Sequence, residues 1–279
     1  MKVLFDRENK RLVCINQKAT PDFWEKHWDN QDFSQTLLRG RDNRFILKTL
    51  QKYIPDGKGK IIEGGCGIGD KVYAMFCHGY DVVGVDYAKQ TVDKAKEIIP
   101  DLPVLEADVR KMPFDDNYFE GYWSIGVIEH FYSGYDEIIQ EMVRVVKPGG
   151  YVFMSFPYMS SLRRLKAYLN LYPTWDKEAE EEHVDQFYQF MLDHKKVASD
   201  MSEAGFDAIE DRPVDGIKGL KDEIGLIKPF LRVLLNHKKS ILAKGLLFII
   251  GKTSRTLNSG HSVFLVFKKR PEKRNVLNL

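Results

Sequence analysis

The chain has 279 residues, of which 43% are hydrophobic and 29% charged. This composition is typical of a folded globular protein and excludes a mostly disordered one. Three cysteines, Cys14, Cys66 and Cys77, lie far apart, so we expect neither a disulfide framework nor a metal site. The N-terminus lacks the apolar core of a signal peptide, and the longest apolar stretch, 241–251, is interrupted by Lys244. Because a membrane span needs about 20 apolar residues, we expect a cytoplasmic protein.

The net charge of +2 conceals an uneven distribution along the chain. Residues 216–279 hold 14 Lys/Arg and three Asp/Glu, a net of +11, so residues 1–215 carry 2 − 11 = −9. Such a split indicates two surfaces with different partners. The acidic first part also disfavours a large phosphate-binding surface there, and we expect no nucleic-acid partner.

The first two thirds of the chain are predicted to alternate between strands and helices. Residues 1–57 are expected to form an N-terminal helical cap, with a short helix in 20–40 and a longer one in 42–54. The segments that follow, in chain order, are a strand at KIIEGG, a helix at DKVYAMFCHGY, a strand at DVVGVD, a helix at AKQTVDKAKEII, strands at PVLEAD and FEGYWSIGV, a helix at YDEIIQEMVRVV and a strand at YVFMSFP. This alternation predicts parallel βαβ units in an α/β fold.

The regular alternation ends after Pro157. We interpret residues 158–186 as a lid insertion, residues 187–204 as a helix, and residues 217–256 as a basic amphipathic helical insertion. FDAIEDRPV and SVFLVFKK are predicted to be strands. The whole chain, 1–279, is expected to be one domain with these additions.

A glycine-rich turn joins the first strand of the alternation to its first helix, in the segment IIEGGCGIGD at 61–70. Glycines there let a ligand approach the backbone, at the sheet edge where open α/β sheets bind ligands. The dinucleotide pattern G-x-G-x-x-G fits neither from Gly65 nor from Gly67. Glu63 and Asp70 would repel a pyrophosphate, and they suit a ligand that carries positive charge.

This segment resembles the glycine-rich signature of class I S-adenosylmethionine-dependent methyltransferases, in particular the small-molecule type 11 that methylates quinones and sugars. Further matching segments follow in the same order: VVGVD ending at Asp86, Glu106–Val109, the strand and turn at 119–130, and VVKPGG at 145–150. The resemblance covers residues 58–157 closely and 187–213 loosely. It implies a Rossmann-like, seven-stranded, mostly parallel sheet with helices on both faces, plus helical lid insertions, and S-adenosylmethionine as the cofactor.

The resemblance also implies which residues bind the cofactor. They are Glu63, Gly65, Cys66, Gly67 and Gly69 in the turn, Asp86, Tyr87, Asp108 and Val109 after the next two strands, and Ser124, Ile125, Gly126 and Glu129 at the fourth strand. Asp86 would accept both ribose hydroxyls, Asp108 would meet the adenine amino group, and the fourth strand would line the methionine part. Each position alone has a plainer interpretation: Asp86 as a helix cap, Asp108 as a turn residue and Cys66 as a small buried filler.

Two histidines are candidate catalytic bases. His130 follows Glu129 after the fourth strand, where the family commonly has Glu-His facing cofactor and substrate. His183 lies at a position where several small-molecule methyltransferases have a substrate-facing histidine. The alternatives are a loop histidine that packs on the adenosine or caps a helix, and a solvated loop histidine. Phe23, Trp24 and Trp28 are expected either to cover the cofactor or to be buried in the core.

The acceptor is expected to be a small molecule such as a lipid, a quinone or a sugar, methylated on O, N or C. Ser124–Val127 replaces the Asn/Asp-Pro-Pro-aromatic motif of enzymes that methylate base amines. Tyr158, Met159, Leu162, Tyr168, Tyr172 and Trp175 in the first insertion suit a flat or apolar acceptor. Residues 217–256 fit peripheral contact with an anionic membrane, or else a buried lid or dimer face, in a monomer or homodimer.

Two other functions remain open at this stage. One is a non-catalytic or membrane-associated S-adenosylmethionine-binding protein. The other is an NAD(P)-dependent oxidoreductase, which the mismatch of the glycine pattern disfavours.

Overall fold

The computed structural model describes residues 2–29, 32–55, 57, 59–237 and 240–271. The chain divides into two compact units. The first comprises Met1–Lys18, Ser155–Ala198 and Glu210–Leu265, and the second comprises Ala19–Met154, Ser199–Ile209 and Val266–Leu279. The N-terminal strands and the segments 158–186 and 217–256 belong to the first unit. The expectation of one domain with these additions stays a prediction.

The helices and strands follow each other along the chain, with short 3-10 turns between some of them. They are β1 (Lys2–Asp6), β2 (Arg11–Ile15), α1 (Pro21–Asp29), α2 (Phe33–Arg39), α3 (Arg44–Tyr53), β3 (Lys60–Gly64), α4 (Asp70–Cys77), β4 (Val82–Asp86), α5 (Lys89–Ile98), β5 (Val104–Glu106), β6 (Phe119–Ile125), α6 (Asp136–Val145) and β7 (Val146–Pro157). The remaining elements are α7 (Ser161–Tyr168), β8 (Thr174–Trp175), α8 (Lys177–His183), β9 (Phe187–Met191), α9 (His194–Glu203), β10 (Phe206–Val214), α10 (Gly216–Glu223), α11 (Lys228–Asn236), α12 (Ile241–Thr256) and β11 (Ser262–Lys269).

The larger sheet has seven strands in the order β10-β11-β7-β6-β3-β4-β5. The pairs β3–β4, β4–β5 and β3–β6 are parallel, which confirms the predicted Rossmann-like sheet. Successive strands run outward from β3 through β4 to β5, and the chain then returns to place β6 on the other side of β3. Ligands of open α/β sheets bind beside such a reversal, at the carboxyl ends of the strands.

Burial of apolar residues on both faces fixes these parallel strands. Ile61 and Ile62 of β3 are fully buried, as is Trp123 of β6, whose ring stacks on Phe153 with centroids 4.5 Å apart. Before the first of these strands in the chain, α3 buries Leu50 on its apolar side. The carboxyl ends of β3, β4 and β6 are thereby held in a rigid layer, which positions the residues that follow each strand.

The helical interpretation of residues 1–57 is wrong for their first part. Residues 2–15 form an antiparallel hairpin, with Lys2 opposite Ile15 and Asp6 opposite Arg11. It belongs to a second sheet in the order β8-β1-β2-β9. The physical reason is the run of apolar, largely β-forming residues at 12–15, which is buried along its whole length and cannot form one stripe of a surface helix.

The predicted helix over 187–204 is also wrong in its first half. Phe187–Met191 is strand β9, which pairs antiparallel with β2, and the helix α9 begins only at His194. Phe187 and Phe190 are both buried, with ring centroids 4.5 Å apart, and the guanidinium of Arg11 lies 3.6 Å from the centre of the Phe190 ring. These aromatic contacts favour the pleated conformation over the helix.

Smaller differences concern turns and helix number. Residues 20–40 contain two helices, α1 and α2, where one was expected. The predicted turn at 147–150 lies within β7, which begins at Val146. The strand predicted at 206–214 and the last strand, β11, have the bounds that the sequence indicates, and the basic insertion at 217–256 is helical.

A buried ion network ties together α7 and α10 in the first unit. The fully buried guanidinium of Arg163 donates from Nε to Glu223 Oε1 at 2.8 Å and from its Nη1 to the carbonyls of Tyr158 and His261. Lys166 and Tyr172 donate to the other oxygen of Glu223 at 2.8 and 2.6 Å. Burial opposes ionisation of Glu223, but these hydrogen bonds outweigh it and hold the pKa of this carboxyl below its usual range.

We predict that Glu223→Leu lowers the free energy of unfolding by about 3–5 kcal/mol, because it leaves the Arg163 charge buried and unpaired. Denaturant titration at neutral pH measures this difference. The ionised form of Glu223 is the stabilising one, so its contribution is present above the ordinary glutamate pKa and is lost as the pH falls through the lowered pKa. Glu178→Leu, at an exposed position of α8, is the control and should change stability little. Equal stability of the two variants would contradict the proposed role of the network.

Candidate cofactor and active site

At three positions of the glycine-rich turn, the backbone has a conformation that only glycine adopts without strain. Gly65, Gly67 and Gly69 have φ of 72°, 53° and 76°, in the left-handed region. A Cβ on Gly65 would lie 2.5 Å from the side chain of Val127, and one on Gly67 would lie 3.0 Å from the ring of Trp28. The turn therefore presents bare backbone between β3 and α4, at the sheet reversal.

Asp86 at the end of β4 fastens this turn to the neighbouring strand. Its carboxylate accepts the N–H of Gly67 on Oδ2 at 2.8 Å and the N–H of Ala88 on Oδ1 at 2.9 Å. Burial raises the pKa of Asp86, while the hydrogen bonds from Ala88 and Gly67 oppose that rise. Each oxygen keeps a second lone pair, so the carboxylate can still accept hydrogen bonds from a ligand.

Glu63 and Lys71 form a buried ion pair beneath the turn. The Lys71 ammonium lies 3.1 Å from Glu63 Oε1 and 3.0 Å from Asp70 Oδ1. Burial raises the pKa of Glu63 to about 7, although the Lys71 charge opposes this. The lysine pKa lies above its usual value because attraction to Glu63 and Asp70 outweighs burial. Sequence reasoning missed Lys71, since a single basic residue after Asp70 gives no spacing signal.

Glu129 is a buried carboxyl, and no charged group of the described residues shifts its pKa. It lies in a short 3-10 turn, Ile128–His130, that follows β6. Within the described chain its Oε2 has no hydrogen-bond partner, and the same holds for the buried hydroxyl of Ser124 at the end of β6. Burial raises the pKa of Glu129 to about 8. Because buried polar groups are normally hydrogen-bonded, these two are the groups that a bound ligand is best placed to satisfy.

Asp108 follows β5 and is held by its neighbour Arg110. The guanidinium Nε donates to both carboxylate oxygens at 3.0 and 3.1 Å, and Nη2 donates to Oδ2 at 2.6 Å. These hydrogen bonds lower the pKa of Asp108. Val109 is buried beside it, and the Tyr87 hydroxyl donates to the carbonyl of Ala19 at 3.2 Å. The predicted adenine-recognition role of Asp108 stays a prediction.

Aromatic residues of α1 lie against both the turn and His130. The Trp24 and His130 rings meet edge to face with centroids 4.9 Å apart, and the Phe23 and Trp24 centroids are 5.1 Å apart. The Trp28 ring lies over Gly67, at the place where a side chain on that residue would begin. Trp28 therefore borders the turn, and Trp24 borders His130. The prediction that these rings cover the cofactor stays a prediction.

The second candidate base, His183, belongs to the first unit. It is buried on α8, and its Nε2 lies 2.9 Å from the Lys2 ammonium. Among described residues its Nδ1 has no hydrogen-bond partner. The aromatic residues predicted to line an acceptor pocket are in the same unit, where Tyr158 and Trp175 are buried and Tyr168 is exposed. Their predicted roles stay predictions.

The sequence of the second unit matches a known family. The methyltransferase domain family model matches residues 62–154. The chain is 30% identical over 153 residues to 24-methylenesterol C-methyltransferase 2 of Arabidopsis thaliana. The matched segment is 50% of this chain and 42% of that protein. The chain is 26% identical over 145 residues to demethylmenaquinone methyltransferase of Bacillus cereus, which is 49% of this chain and 61% of that protein. Each match therefore spans less than two thirds of the relative.

Solved structures share the fold over most of the chain. The PH0226 protein of Pyrococcus horikoshii has a TM-score of 0.53 at 19% identity, covering 89% of this chain and 99% of its own. The [4+2]-cyclase SpnF has a TM-score of 0.54 at 15% identity, covering 92% of this chain and 100% of its own. Haemonchus contortus phosphoethanolamine N-methyltransferase 2 was solved with phosphomonomethylethanolamine and S-adenosylhomocysteine. It has a TM-score of 0.50 at 20% identity, and the match covers 82% of this chain and 53% of its own.

We predict that Glu129→Gln stabilises the cofactor-free protein in a pH-dependent way. The folded state favours protonated Glu129, so the wild-type protein loses stability as the pH rises from about 4.5 to about 8. The amide does not ionise and escapes this loss, which linkage puts on the order of 1.4 kcal/mol per pH unit within that window. Thermal and denaturant unfolding at several pH values measures the gain, which should vanish near pH 4.

The control for this experiment is Glu97→Gln, at an exposed position of α5. It should leave the pH dependence of unfolding unchanged. If Glu129→Gln behaves like this control at every pH, Glu129 is not a buried, protonated group.

Proposed function

From the premise that this chain carries a class I S-adenosylmethionine-dependent methyltransferase domain and takes S-adenosylmethionine as its cofactor, we propose that it transfers a methyl group to a small apolar acceptor. The observation that carries the proposal is the Asp86 carboxylate bonded to the Gly67 N–H at 2.8 Å. This hydrogen bond joins the glycine turn after β3 to Asp86 at the end of β4, beside the point where the strand order of the sheet reverses. The carboxylates at this place favour a cationic ligand.

The residues present fit the cofactor by their chemistry. A Cβ on Gly65 would clash with the Val127 side chain, so the close packing of the turn at this position requires glycine. The spare lone pairs of Asp86 suit the two ribose hydroxyls. The buried Ser124 hydroxyl and Glu129 Oε2, which lack partners among described residues, suit the polar, amino-bearing methionine part.

The chemistry that bound S-adenosylmethionine supplies is a sulfonium methyl group, open to in-line displacement by an oxygen, nitrogen or carbon nucleophile. The protein's share is to align the two reactants, which can account for most of the acceleration. The rings of Trp24 and Trp28 beside the turn help to exclude water. A base is required only where the nucleophile starts protonated.

We keep His130 and His183 as the candidate bases. His130 directly follows Glu129 and lies against Trp24, in the same unit as the glycine turn. A base at this place would pass its proton to water when the product leaves. His183 Nε2 lies 2.9 Å from the Lys2 ammonium, which can only donate, so this nitrogen is the acceptor of the ring, and a base role for His183 requires Lys2 to move away from it.

The apolar character of the acceptor is supported by the relatives. The two relatives found by sequence are named for a 24-methylenesterol and for demethylmenaquinone, and both compounds have large hydrocarbon parts. The phosphoethanolamine N-methyltransferase shares the fold at 20% identity and does not bear on the acceptor. Sugars are the second choice. An oxidoreductase is disfavoured by the acids around the turn. A non-catalytic protein is the other alternative, because a neighbour of the same fold is a cyclase and fold alone does not establish a reaction.

We predict that Asp86→Ala weakens S-adenosylmethionine binding by about 1.5–3 kcal/mol, because hydrogen bonds to a charged group are lost and the turn loses its anchor. Isothermal titration calorimetry with the cofactor and with S-adenosylhomocysteine measures the change. Asp101→Ala, at an exposed position before β5, is the control and should bind normally. Wild-type affinity of Asp86→Ala would remove Asp86 from the site.

We predict that labelled methyl from S-adenosylmethionine enters the lipid or quinone fraction of a cell extract in the presence of this protein. Extracts are separated into lipid, quinone and sugar pools, and each pool is incubated with the wild-type protein or with Asp86→Ala. The proposal is supported if label enters the lipid or quinone pool with the wild-type protein and does not enter it with Asp86→Ala. Label in the sugar pool alone would overturn the acceptor class, and none in any pool, with the cofactor bound, would favour a non-catalytic protein.

A further inference from the structure

The two helices near the end of the first unit expose an apolar surface. In α12, Ile241 is 87% exposed, Leu242 80% and Phe248 73%. Leu246 and Ile249 are exposed on the same helix. Soluble monomers rarely leave contiguous apolar surface of this kind open unless it binds something. We call the exposed apolar residues of α11 and α12, with the basic residues beside them, the basic-apolar surface.

Helix α12 has a set of exposed apolar side chains on one side. At 100° per residue, Ile241, Leu242, Phe248 and Ile249 share that side. The opposite side includes the buried Ala243 and the half-buried Leu247. The helix thus buries one apolar side and leaves a second apolar side exposed in the described chain.

The preceding helix, α11, continues the surface. It packs against α12 and buries Leu231 and Leu234, while Phe230 and Val233 stay more than half exposed. Lys228 is on the same helix. The helix therefore has one buried apolar side and a second, outward apolar side next to basic residues.

The charge of this segment has one sign. From Gly225 to Leu257 the sequence holds no Asp or Glu and the following Lys/Arg: Lys228, Arg232, Lys238, Lys239, Lys244, Lys252 and Arg255. Lys238 and Lys239 lie outside the described residues. The nearest preceding acids, Asp222 and Glu223, are engaged with His261 and Arg163. The positive charge around the apolar side chains is therefore not neutralised by acids of the same segment.

We propose that the basic-apolar surface docks this protein on an anionic lipid membrane, with α11 and α12 lying in the plane of the interface. Basic residues attract the anionic headgroups, and the outward Ile, Leu and Phe side chains enter the acyl boundary. The inference goes beyond the proposed methyl transfer and does not depend on it. Among the described helices, none has the length and apolar character needed to cross a bilayer.

The charge of the basic-apolar surface indicates which partner binds there. A second copy of the chain would bring an identical set of basic residues to the same surface, and like charges face to face oppose such a dimer. An anionic membrane complements both parts of this surface, because its headgroups carry negative charge and its acyl region is hydrocarbon.

The test is co-sedimentation of the full chain with vesicles of phosphatidylcholine alone and with added phosphatidylglycerol. We expect binding to the anionic vesicles only, and release as sodium chloride rises from about 0.1 M to about 0.5 M. Two triple variants separate the contributions. The apolar one is Ile241→Ser, Leu242→Ser and Phe248→Ser, and the basic one is Lys228→Gln, Arg232→Gln and Lys244→Gln. Each should lower the partition coefficient by roughly tenfold to a hundredfold.

Matched controls change residues of the same types elsewhere. For the apolar variant the control is Leu165→Ser, Tyr168→Ser and Leu171→Ser, and for the basic variant it is Lys10→Gln, Lys96→Gln and Lys195→Gln. Both controls should partition like the wild-type protein. Circular dichroism and S-adenosylmethionine binding show whether each variant is folded.

Three outcomes would overturn the proposal. The first is no binding of the wild-type protein to anionic vesicles. The second is wild-type partitioning of both triple variants. The third is a wild-type dimer in analytical ultracentrifugation that the apolar variant dissociates, with no vesicle binding, which would make this surface a dimer interface. Failure of methyl transfer with intact vesicle binding would count against the proposed function alone.

Discussion

The hydrogen bond from the Gly67 N–H to Asp86 is the constraint on which the candidate site depends. It joins the turn after β3 to the end of β4 at 2.8 Å, while the Ala88 N–H holds the other carboxylate oxygen at 2.9 Å. The N–H groups of Gly65 and Cys66 add bonds to the Val85 carbonyl. These bonds join the turn to the end of β4 and hold the Asp86 carboxylate at the edge where open α/β sheets bind ligands.

The charge around this anchor gives the site its selectivity. Glu63, Asp70 and Asp86 lie close to the turn, with Lys71 as their counter-charge. Burial raises the pKa of Glu63 and of Glu129. The carboxylates beside the turn attract a cation and repel a diphosphate. We therefore expect these carboxylates to set the binding preference, and Glu129 to set the pH dependence of stability.

The strands of the larger sheet, and the residues that lie at their carboxyl ends, could be predicted from the sequence. The strands of the alternation and the last strand, β11, follow buried apolar runs bounded by glycine and proline, and local patterns of this kind report local structure. The segment Phe187–Met191 was misread because it adjoins a true helix and pairs with β2, which lies more than 170 residues earlier. A partner that far away leaves no local signal. The N-terminal hairpin is a local pairing of Lys2–Asp6 with Arg11–Ile15, and it was missed because residues 1–57 were interpreted together as a helical cap.

Charge pairing was the part that the sequence could not show. Arg163 meets Glu223 across 60 residues, and Lys71 meets Glu63 across a turn whose backbone is set by three glycines. Only the fold brings such groups together. The apolar and basic composition of α12 could be predicted from the sequence. Which side of this helix is buried could not, because that depends on how the helix packs.

The central claim is that the acidic glycine turn selects a cationic sulfonium ligand over a dinucleotide. Parallel calorimetric titrations of the wild-type chain with S-adenosylmethionine and with NADH test it most directly. The account predicts saturable one-site binding of S-adenosylmethionine and no heat of binding for NADH. Saturable binding of NADH, with none for S-adenosylmethionine, would contradict it.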